Sequence, residues 1–295
     1  MALRDAFRRP APEPASVPAP AGPAPARPDP VPALEARIAS LERQARNLRA
    51  AVMPAHYVAM DAVEAGLPPD RPLTCPVCDR TAPRNSLEMR VDQDMFGGGR
   101  LERYVCAGCG CGFGPTKVAG APEALLSADY ALLYEDYAEG EGTATERRAF
   151  DLLDLPRGRP VLNWGCGRWS QVIARLRQEG WDAWGYEPSA PPADGSFVVG
   201  ERGSIAPVFE GLFSNNVIEH MVRPVEEFRF LHSILRPGAR MVHASPCHLW
   251  LYAVSRYHVF FPLGDSPRVL AERSGFRAVD RHADGEFIAW TYERI

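Results

Sequence analysis

The sequence predicts an α/β protein whose mostly parallel sheet carries helices on both faces. It also predicts a small metal-binding module and a short N-terminal helix before that sheet. Two observations support this prediction. From Arg159 onward, apolar strand-like runs alternate with helical runs, which is typical of βαβ units. Upstream of them, two Cys-x-x-Cys pairs interrupt a stretch of short β-like runs. A chain of 295 residues is long enough for one such sheet with appendages.

Composition excludes several classes of protein. With 46% hydrophobic and 24% charged residues, the chain has the make-up of an average globular protein. A net charge of −4 provides no basic field for a nucleic-acid partner. No apolar run reaches the roughly 20 residues that cross a bilayer, and residues 1–10 lack the apolar centre of a secretory signal. We therefore expect a cytoplasmic protein with no transmembrane segment.

The N-terminal region divides into a tail and a helix. Ten prolines fall between Pro10 and Pro32, so we predict a disordered Pro/Ala-rich tail over residues 1–32. A heptad-like helix is predicted over residues 33–53, because its apolar residues follow spacings of 4, 3, 4, 3 and 4: Leu34, Ile38, Leu41, Ala45, Leu48 and Val52. This coiled-coil spacing fits a helix that self-associates or binds a partner protein. It fits equally well a helix that docks on its own domain.

Residues 74–117 are predicted to form a zinc-binding module. Cys75-Pro-Val-Cys78 and Cys106-Ala-Gly-Cys109 are separated by 27 residues. Each pair can present two thiolates on one tight turn, and two such turns complete a tetrahedral zinc site. Four thiolates leave the ion no open position, so its role would be structural. Cys111 is a spectator or a substitute for Cys109 as a ligand.

A helical connector is predicted over residues 118–149, and residues 150–295 form the α/β domain. Its strand-like and helical runs alternate in the order 160–164, 170–178, 181–187, 212–217, 225–235 and 240–245. The final runs, 276–282 and 287–293, are separated by Ala-Asp-Gly-Glu, a turn sequence. They are therefore predicted to form an antiparallel pair.

A cofactor site is predicted where the first of these strands ends. Val161–Trp164 runs into the turn Gly165-Cys166-Gly167, and glycines let a backbone approach a ligand closely. Glu187 ends the next strand, where a carboxylate can accept both hydroxyls of a ribose. A third glycine is replaced by Ser170, which makes a dinucleotide site less convincing. The spacing alone does not separate NAD from another nucleoside cofactor.

Four motifs carry a family resemblance: Leu162-Asn-Trp-Gly-Cys-Gly167, Gly185-Tyr-Glu-Pro-Ser189, Phe213-Ser-Asn-Asn-Val-Ile-Glu-His220 and Leu235-Arg-Pro-Gly238. In order and spacing they resemble the motifs of class I S-adenosylmethionine-dependent methyltransferases, over roughly Phe150–Ile295. The paired-cysteine module also resembles the N-terminal zinc-binding segment of some of these enzymes, which commonly modify sugars, glycans or small metabolites. The resemblance implies a Rossmann-like methyltransferase sheet with an antiparallel last strand.

The resemblance also implies an activity: O- or C-methylation of a small-molecule or carbohydrate intermediate with S-adenosylmethionine. Gly165 and Gly167 would border the methionine part of the cofactor, and Glu187 would hold the ribose. The cofactor-binding residues implied are Asn163, Gly165, Cys166, Gly167, Glu187, Asn215 and Asn216. Asn163 stands where the family usually has an acid, and Arg168 and Trp169 replace small residues. These departures favour the alternative of a catalytically weakened scaffold or interaction protein. An NAD-dependent oxidoreductase is a weaker alternative.

Two histidines are candidate catalytic bases. His220 follows the fourth strand motif, and His248 follows the strand over residues 240–245, so both point to the carboxyl edge where open α/β sheets bind ligands. A base at that edge could take the proton of a hydroxyl or carbon acceptor. The alternatives are a helix-capping role for His220 and loop packing for His248. His243 lies within a strand and is predicted to be a core residue.

Overall fold

The computed structural model describes residues 31–136, 142–167, 171–189, 197–205 and 208–295, with only the backbone for residues 134–136. The predicted tail up to residue 30 lies outside the described residues, and so do Arg168, Trp169 and Ser170. Contacts within the chain define two units, residues 1–45 and 46–295. The first unit is described only from residue 31 onward, where it is helical.

Helix α1 (Val31–Ala65) is longer at its C-terminal end than the prediction for residues 33–53. It continues through Pro54 and ends before Gly66, whose N–H lies 3.1 Å from the carbonyl of Val63. Proline removes one hydrogen bond from a helix, but burial of Met53 and Tyr57 in the second unit stabilises this part of it. Packing thus extends the helix beyond the point where the sequence pattern predicts an end.

The metal-binding module consists of five short strands. β1 (Pro72–Thr74) pairs with β2 (Thr81–Pro83), and β3 (Glu88–Gln93) pairs with β4 (Arg100–Val105), both antiparallel. β5 (Gly112–Phe113) adds to the other side of β4. Both Cys-x-x-Cys turns follow a strand, β1 or β4.

Three helices connect this module to the domain that follows: α2 (Thr116–Ala119), α3 (Glu123–Asp136) and α4 (Thr143–Asp151). Lys117, the only lysine in the sequence, lies in α2 with its Nζ 2.6 Å from Asp61 Oδ1 and 2.6 Å from the Gly98 carbonyl. Its side chain is buried and joins α1 to the metal-binding module.

The central sheet has seven strands, and five of them are parallel. Their order from one edge inward is β8-β7-β6-β9-β10. Their bounds are β6 (Pro160–Trp164), β7 (Asp182–Tyr186), β8 (Val198–Val199), β9 (Phe209–Asn215) and β10 (Leu235–Ala244). The helices packed with this sheet are α5 (Val172–Gln178), α6 (Pro224–Ile234) and α7 (Ser266–Arg273).

The last strands complete the topology. β11 (Phe260–Phe261) lies outside the central sheet and pairs with β5 of the metal-binding module. β12 (Phe276–Asp284) and β13 (Phe287–Arg294) are antiparallel, and β13 inserts between β12 and β10. The predicted α/β fold with an antiparallel last strand is therefore confirmed. Among the described residues, no helix is both long enough and apolar enough to cross a membrane.

Candidate functional site

The turn after β6 is shaped by two glycines in the left-handed region, Gly165 (φ 70°) and Gly167 (φ 65°). The Gly165 N–H donates to the Tyr186 carbonyl at 2.8 Å, which fixes the turn to the end of β7. A Cβ at Gly165 would lie 2.6 Å from Val217 Cγ2, so the close approach requires glycine there. A Cβ at Gly167 would meet no described residue within 4 Å, whereas residues 168–170 lie outside the described part of the chain. Among the described residues, the backbone at Gly167 therefore borders open space.

Glu187, directly after β7, lies beside the glycine turn as predicted. Its Oε2 accepts the Gly167 N–H at 3.0 Å, and its Oε1 accepts the N–H and hydroxyl of Ser189 at 3.0 and 2.6 Å. These bonds hold the half-buried carboxylate at the carboxyl edge of the sheet. These three bonds use three of the about four lone-pair sites of an ionised carboxylate, so the remaining acceptor capacity lies on Oε2.

Asn163 occupies a fully buried position in β6, where the family resemblance implies an acid. Its Nδ2 donates to Glu146 Oε2 at 2.5 Å, so a carboxylate is present near this point but comes from α4. Glu146 is 8% exposed and lines the same cavity as the glycine turn. Sequence reasoning missed Glu146 because nothing in the sequence pairs residue 146 with residue 163. In this protein the negative charge near residue 163 therefore belongs to helix α4 and not to strand β6.

The other predicted cofactor-binding residues also lie at this edge. The Cys166 thiol is 3% exposed and packs against Gly185, where an added Cβ would lie 2.6 Å from its sulfur. Burial raises the pKa of this thiol, so it stays neutral. Asn215 ends β9, and Asn216 adopts a left-handed conformation (φ 56°) with its N–H bonded to the Ala244 carbonyl at 2.9 Å. Asparagine tolerates this conformation better than most residues.

One cavity of about 1160 Å³ is lined by the glycine turn, Glu146, Glu187, Asn215 and Asn216, but not by Asn163. Its far wall contains His220, one of the two predicted bases, and His258. The His220 Nδ1 lies 3.0 Å from the Tyr257 carbonyl, so Nδ1 carries the proton and Nε2 carries the lone pair. Nε2 is 3.4 Å from the Tyr130 hydroxyl. Burial lowers the pKa of His220 to about 4, so the ring is neutral at pH 7.

His258 is a cavity residue that the sequence analysis missed. Its Nδ1 lies 2.9 Å from the Tyr252 carbonyl, its ring centre is 5.0 Å from that of His220, and burial lowers its pKa to about 3. A backbone bond from Val259 N–H to the Glu219 carbonyl, 2.9 Å long, holds the two histidines together. Residue 258 is 38 positions after residue 220, within the aromatic run Tyr257-His-Val-Phe-Phe261. Its position after the fifth parallel strand was the one signal in the sequence that could have placed this run at the cavity.

The structure does not bring His248, the other predicted base, into the cavity lining. His248 is 5% exposed, and its Nδ1 and Nε2 lie 3.4 Å from the carbonyls of Pro262 and His243. Its contacts are those of a packed loop, the alternative weighed from the sequence. His243 is fully buried in β10 with its Nδ1 2.5 Å from the Ser214 hydroxyl.

The paired cysteines come together as predicted. The sulfurs of Cys75, Cys78, Cys106 and Cys109 all lie within 4.8 Å of one another. Cys75 and Cys109 sulfurs are 3.6 Å apart, and those of Cys78 and Cys106 are 3.5 Å apart. A tetrahedral zinc ion with 2.3 Å bonds needs separations of about 3.8 Å, so the donor set and its spacing fit zinc. Cys111 lies 3.3 Å from Cys75, and hydrogen bonds to Cys109 and Cys75 raise its pKa.

Comparison with known proteins identifies the domain. Residues 138–294 match the family model described as a methyltransferase domain, which is more than half of the chain. The chain belongs to the methyltransferase-domain family. Together with the strand order of the central sheet, this makes it a class I methyltransferase, an enzyme of the group that uses S-adenosylmethionine. Among curated protein sequences, none matches this methyltransferase.

Solved structures of methyltransferases are similar to parts of this chain. One is the 1,6-didemethyltoxoflavin-N1-methyltransferase of Burkholderia thailandensis with bound S-adenosylhomocysteine, at 18% identity and a TM-score of 0.45. It is matched over 66% of this chain and 95% of its own. Another is the magnesium protoporphyrin IX methyltransferase of Synechocystis PCC 6803, at 13% identity and a TM-score of 0.40. That match covers 57% of this chain and 94% of its own.

Proposed function

We propose that this methyltransferase transfers a methyl group from S-adenosylmethionine to an oxygen or carbon atom of a small, hydroxyl-bearing acceptor, with a sugar derivative as the favoured class. One observation carries the proposal: the glycine turn with Glu187 and the pair His220 and His258 line the same cavity of about 1160 Å³. A cavity of that size has room for two ligands side by side, since sites for single small molecules measure roughly 300–1,000 Å³.

The residues of the sheet edge fit the cofactor. We infer that Gly165 and Gly167 border its methionine part, because both line the cavity and no described residue lies within 4 Å of a Cβ built on Gly167. Glu187 would accept one ribose hydroxyl at Oε2, beside its bond to Gly167, and the other at Oε1 in place of the Ser189 hydroxyl. Asn215 and Asn216 would line the cofactor, and Cys166 would contribute its backbone, since its thiol faces the interior.

Glu146 and Asn163 would act together at the methionine end. S-adenosylmethionine carries an ammonium and a sulfonium charge, and a carboxylate close to a buried cation stabilises it. Glu146 supplies that carboxylate, and the Asn163 amide orients it at 2.5 Å. The departure of Asn163 from the family pattern is therefore compensated by an acid on α4, which weakens the case for a non-catalytic scaffold.

The far wall would hold the acceptor. When bound, S-adenosylmethionine supplies an electrophilic methyl group on a sulfonium sulfur. His220 Nε2 would take the proton of the acceptor atom as that atom forms its bond to the methyl carbon, and the electron pair of the broken bond stays on sulfur. Tyr130 would orient the acceptor through its hydroxyl, 3.4 Å from Nε2. Much of the rate would come from holding acceptor and methyl group in contact.

The polarity of this wall favours a hydroxylated acceptor. Besides the two histidines it presents hydroxyl and carboxylate groups, and the Tyr252 hydroxyl donates to Glu286 at 2.8 Å. Sugars offer several hydroxyls to such groups, whereas an apolar acceptor would leave them without hydrogen bonds at a cost of about 1–3 kcal/mol each.

We also propose that the four-cysteine cluster binds one structural zinc ion. Cys75, Cys78, Cys106 and Cys109 provide four thiolate donors from two turns, and a closed set of this kind leaves no coordination position for a substrate. Cys111 would remain outside the donor set, because the four paired cysteines are the group whose sulfurs all lie within 4.8 Å of one another.

Isothermal titration with S-adenosylhomocysteine tests the cofactor site. We expect the wild-type chain and a Glu272→Gln control, altered on the exposed face of α7, to bind alike, and Glu187→Gln to bind at least tenfold more weakly. A folded wild-type protein that does not bind S-adenosylhomocysteine would contradict the proposal. Methyl transfer from labelled S-adenosylmethionine to a panel of sugar derivatives tests the acceptor class. Binding without turnover on any small molecule would instead support the scaffold alternative.

A further inference from the structure

Helix α1 carries a stripe of apolar side chains that are exposed. Five large side chains of this stripe are exposed by 59, 55, 48, 67 and 59%: Leu34, Ile38, Leu41, Leu48 and Val52. The sixth member, Ala45, is also exposed. Single exposed apolar residues are common, but six at coiled-coil spacing along one helix face mark an interaction surface. We call these six residues the α1 stripe.

The anchoring of α1 uses a different face of the helix. The side chains that fix it within residues 46–295 are Met53 and Tyr57, which are buried, and Asp61, which pairs with Lys117. In the heptad set by the α1 stripe these three occupy positions b, f and c. The stripe itself occupies positions a and d, which continue as the exposed Ala55 and Ala59. The residues that anchor α1 therefore lie outside positions a and d.

The residue types in the stripe select one kind of partner. Ile38 and Val52 are β-branched and occupy position a, whereas Leu34, Leu41 and Leu48 all occupy position d. β-branched residues at a with leucine at d favour two parallel strands, because the a and d layers of a parallel dimer pack these side-chain shapes best. A second copy of this chain supplies the same residues in the same order.

The flanking charges agree with a parallel arrangement. Arg37 lies at position g and Glu42 at position e of the following heptad. In a parallel, in-register pair, position g of one helix faces the next e position of the other. Arg37 would therefore meet Glu42 of the second copy, twice per dimer. In an antiparallel pair, e positions face e positions, and this match would be lost.

We propose that the α1 stripe is the interface of a parallel, in-register, two-stranded coiled coil between two copies of this chain. The proposal is independent of the methyltransferase chemistry, because none of the stripe residues lines the cavity. The two catalytic domains would be joined through their N-terminal helices.

Sedimentation of the full chain over a range of concentrations tests the interface. We expect a monomer–dimer equilibrium that Ile38→Glu with Leu41→Glu abolishes, leaving the mass of one chain. Ala50→Glu, at the exposed f position of the same helix, is the matched control and should leave the dimer intact. The double variant and the control should both still unfold cooperatively, since the altered residues lie outside the core of the chain. A wild-type monomer at every concentration, a trimer, or a dimer that survives the double substitution would overturn the proposal.

Two further variants test the orientation. Arg37→Glu should weaken the dimer several-fold, and adding Glu42→Arg should restore it, because the reversed charges again face each other. Ala45→Cys at an a position should form a covalent dimer on mild oxidation, whereas Ala50→Cys should not. A dimer that Ala45→Cys cannot cross-link would overturn the parallel, in-register arrangement.

Discussion

The Nε atom of Arg103 lies 3.0 Å from the carbonyl oxygen of His258. Arg103 belongs to β4 of the metal-binding module, yet its fully buried guanidinium also donates to the carbonyls of Ala253 and Ser255, at 2.5 and 2.7 Å. The strand that carries this arginine ends at the second Cys-x-x-Cys turn. One side chain thus joins the cysteine cluster to the loop that presents His258 to the cavity.

Replacing Arg103 should lower the catalytic efficiency toward the acceptor and leave cofactor binding nearly unchanged. A lysine keeps the charge but cannot reach three carbonyls at once, because it lacks the planar donor fork of arginine. We expect Arg103→Lys to lower kcat/KM for the acceptor at least tenfold and to leave the affinity for S-adenosylhomocysteine within twofold. Steady-state kinetics and titration measure the two effects. Equal losses in both would show that the substitution disturbs the whole domain.

Replacing His220 should remove the proposed base without removing the cofactor site. General bases contribute roughly 10²–10⁴-fold to rate, so we expect His220→Gln to lower kcat by that order. His282→Gln on β12, away from the cavity lining, is the matched control and should retain full activity. Because the pKa of His220 is about 4, the wild-type rate should not fall on the acidic side until well below pH 6. Unchanged turnover in His220→Gln would assign the proton to another group.

Replacing Asn163 with the acid that the family usually has there should destabilise the folded protein. Asn163→Asp would place a second carboxylate against Glu146 Oε2, which is now 2.5 Å from the amide nitrogen, in a buried site. Two buried carboxylates repel, so we expect a loss of about 3 kcal/mol in the free energy of unfolding at pH 7. Asn163→Asp with Glu146→Gln should recover most of it, since one charge is again paired with one amide. Denaturant unfolding of the three proteins measures this coupling.

Zinc should be required for the fold of the module. We expect metal analysis to find one zinc ion per chain, and Cys109→Ser to lose it. Cys111→Ser is the matched control and should keep the ion, because Cys111 belongs to the cluster's surroundings and not to its donor set. Chelation should also lower acceptor turnover through Arg103 and His258. Loss of zinc in Cys111→Ser with retention in Cys109→Ser would reverse the assignment of these two cysteines.

Acid should destabilise the folded chain before it protonates most carboxylates. Burial lowers the pKa of His243 to about 3 and of His248 to about 4, from an ordinary value of 6.5. At pH values between about 4 and 6.5, the unfolded chain binds protons at these histidines, whereas the folded chain does not. Stability present above pH 6.5 is therefore lost as the pH falls. The loss is about 2 kcal/mol per histidine at pH 5.

Urea unfolding at pH 7 and pH 5 measures this loss. His248→Gln should reduce the difference between the two pH values, because one buried titrating ring is gone. His282→Gln, on the partly exposed strand β12, should leave the difference unchanged. A wild-type chain of equal stability at both pH values would contradict the buried, neutral state of these histidines.

The sequence by itself determined most strands and helices of the α/β domain, the glycine turn with Glu187, and the cysteine cluster. Each of these depends on residues close together in the chain or on a repeated spacing, so a local pattern reveals it. The sequence did not reveal β8, β11 or α7. Only the tertiary structure decided that Glu146 faces Asn163, that His258 and not His248 lines the cavity, and that β11 joins the sheet of the metal-binding module. These contacts join residues far apart in sequence, and their geometry is set by packing of whole elements, which no local pattern encodes.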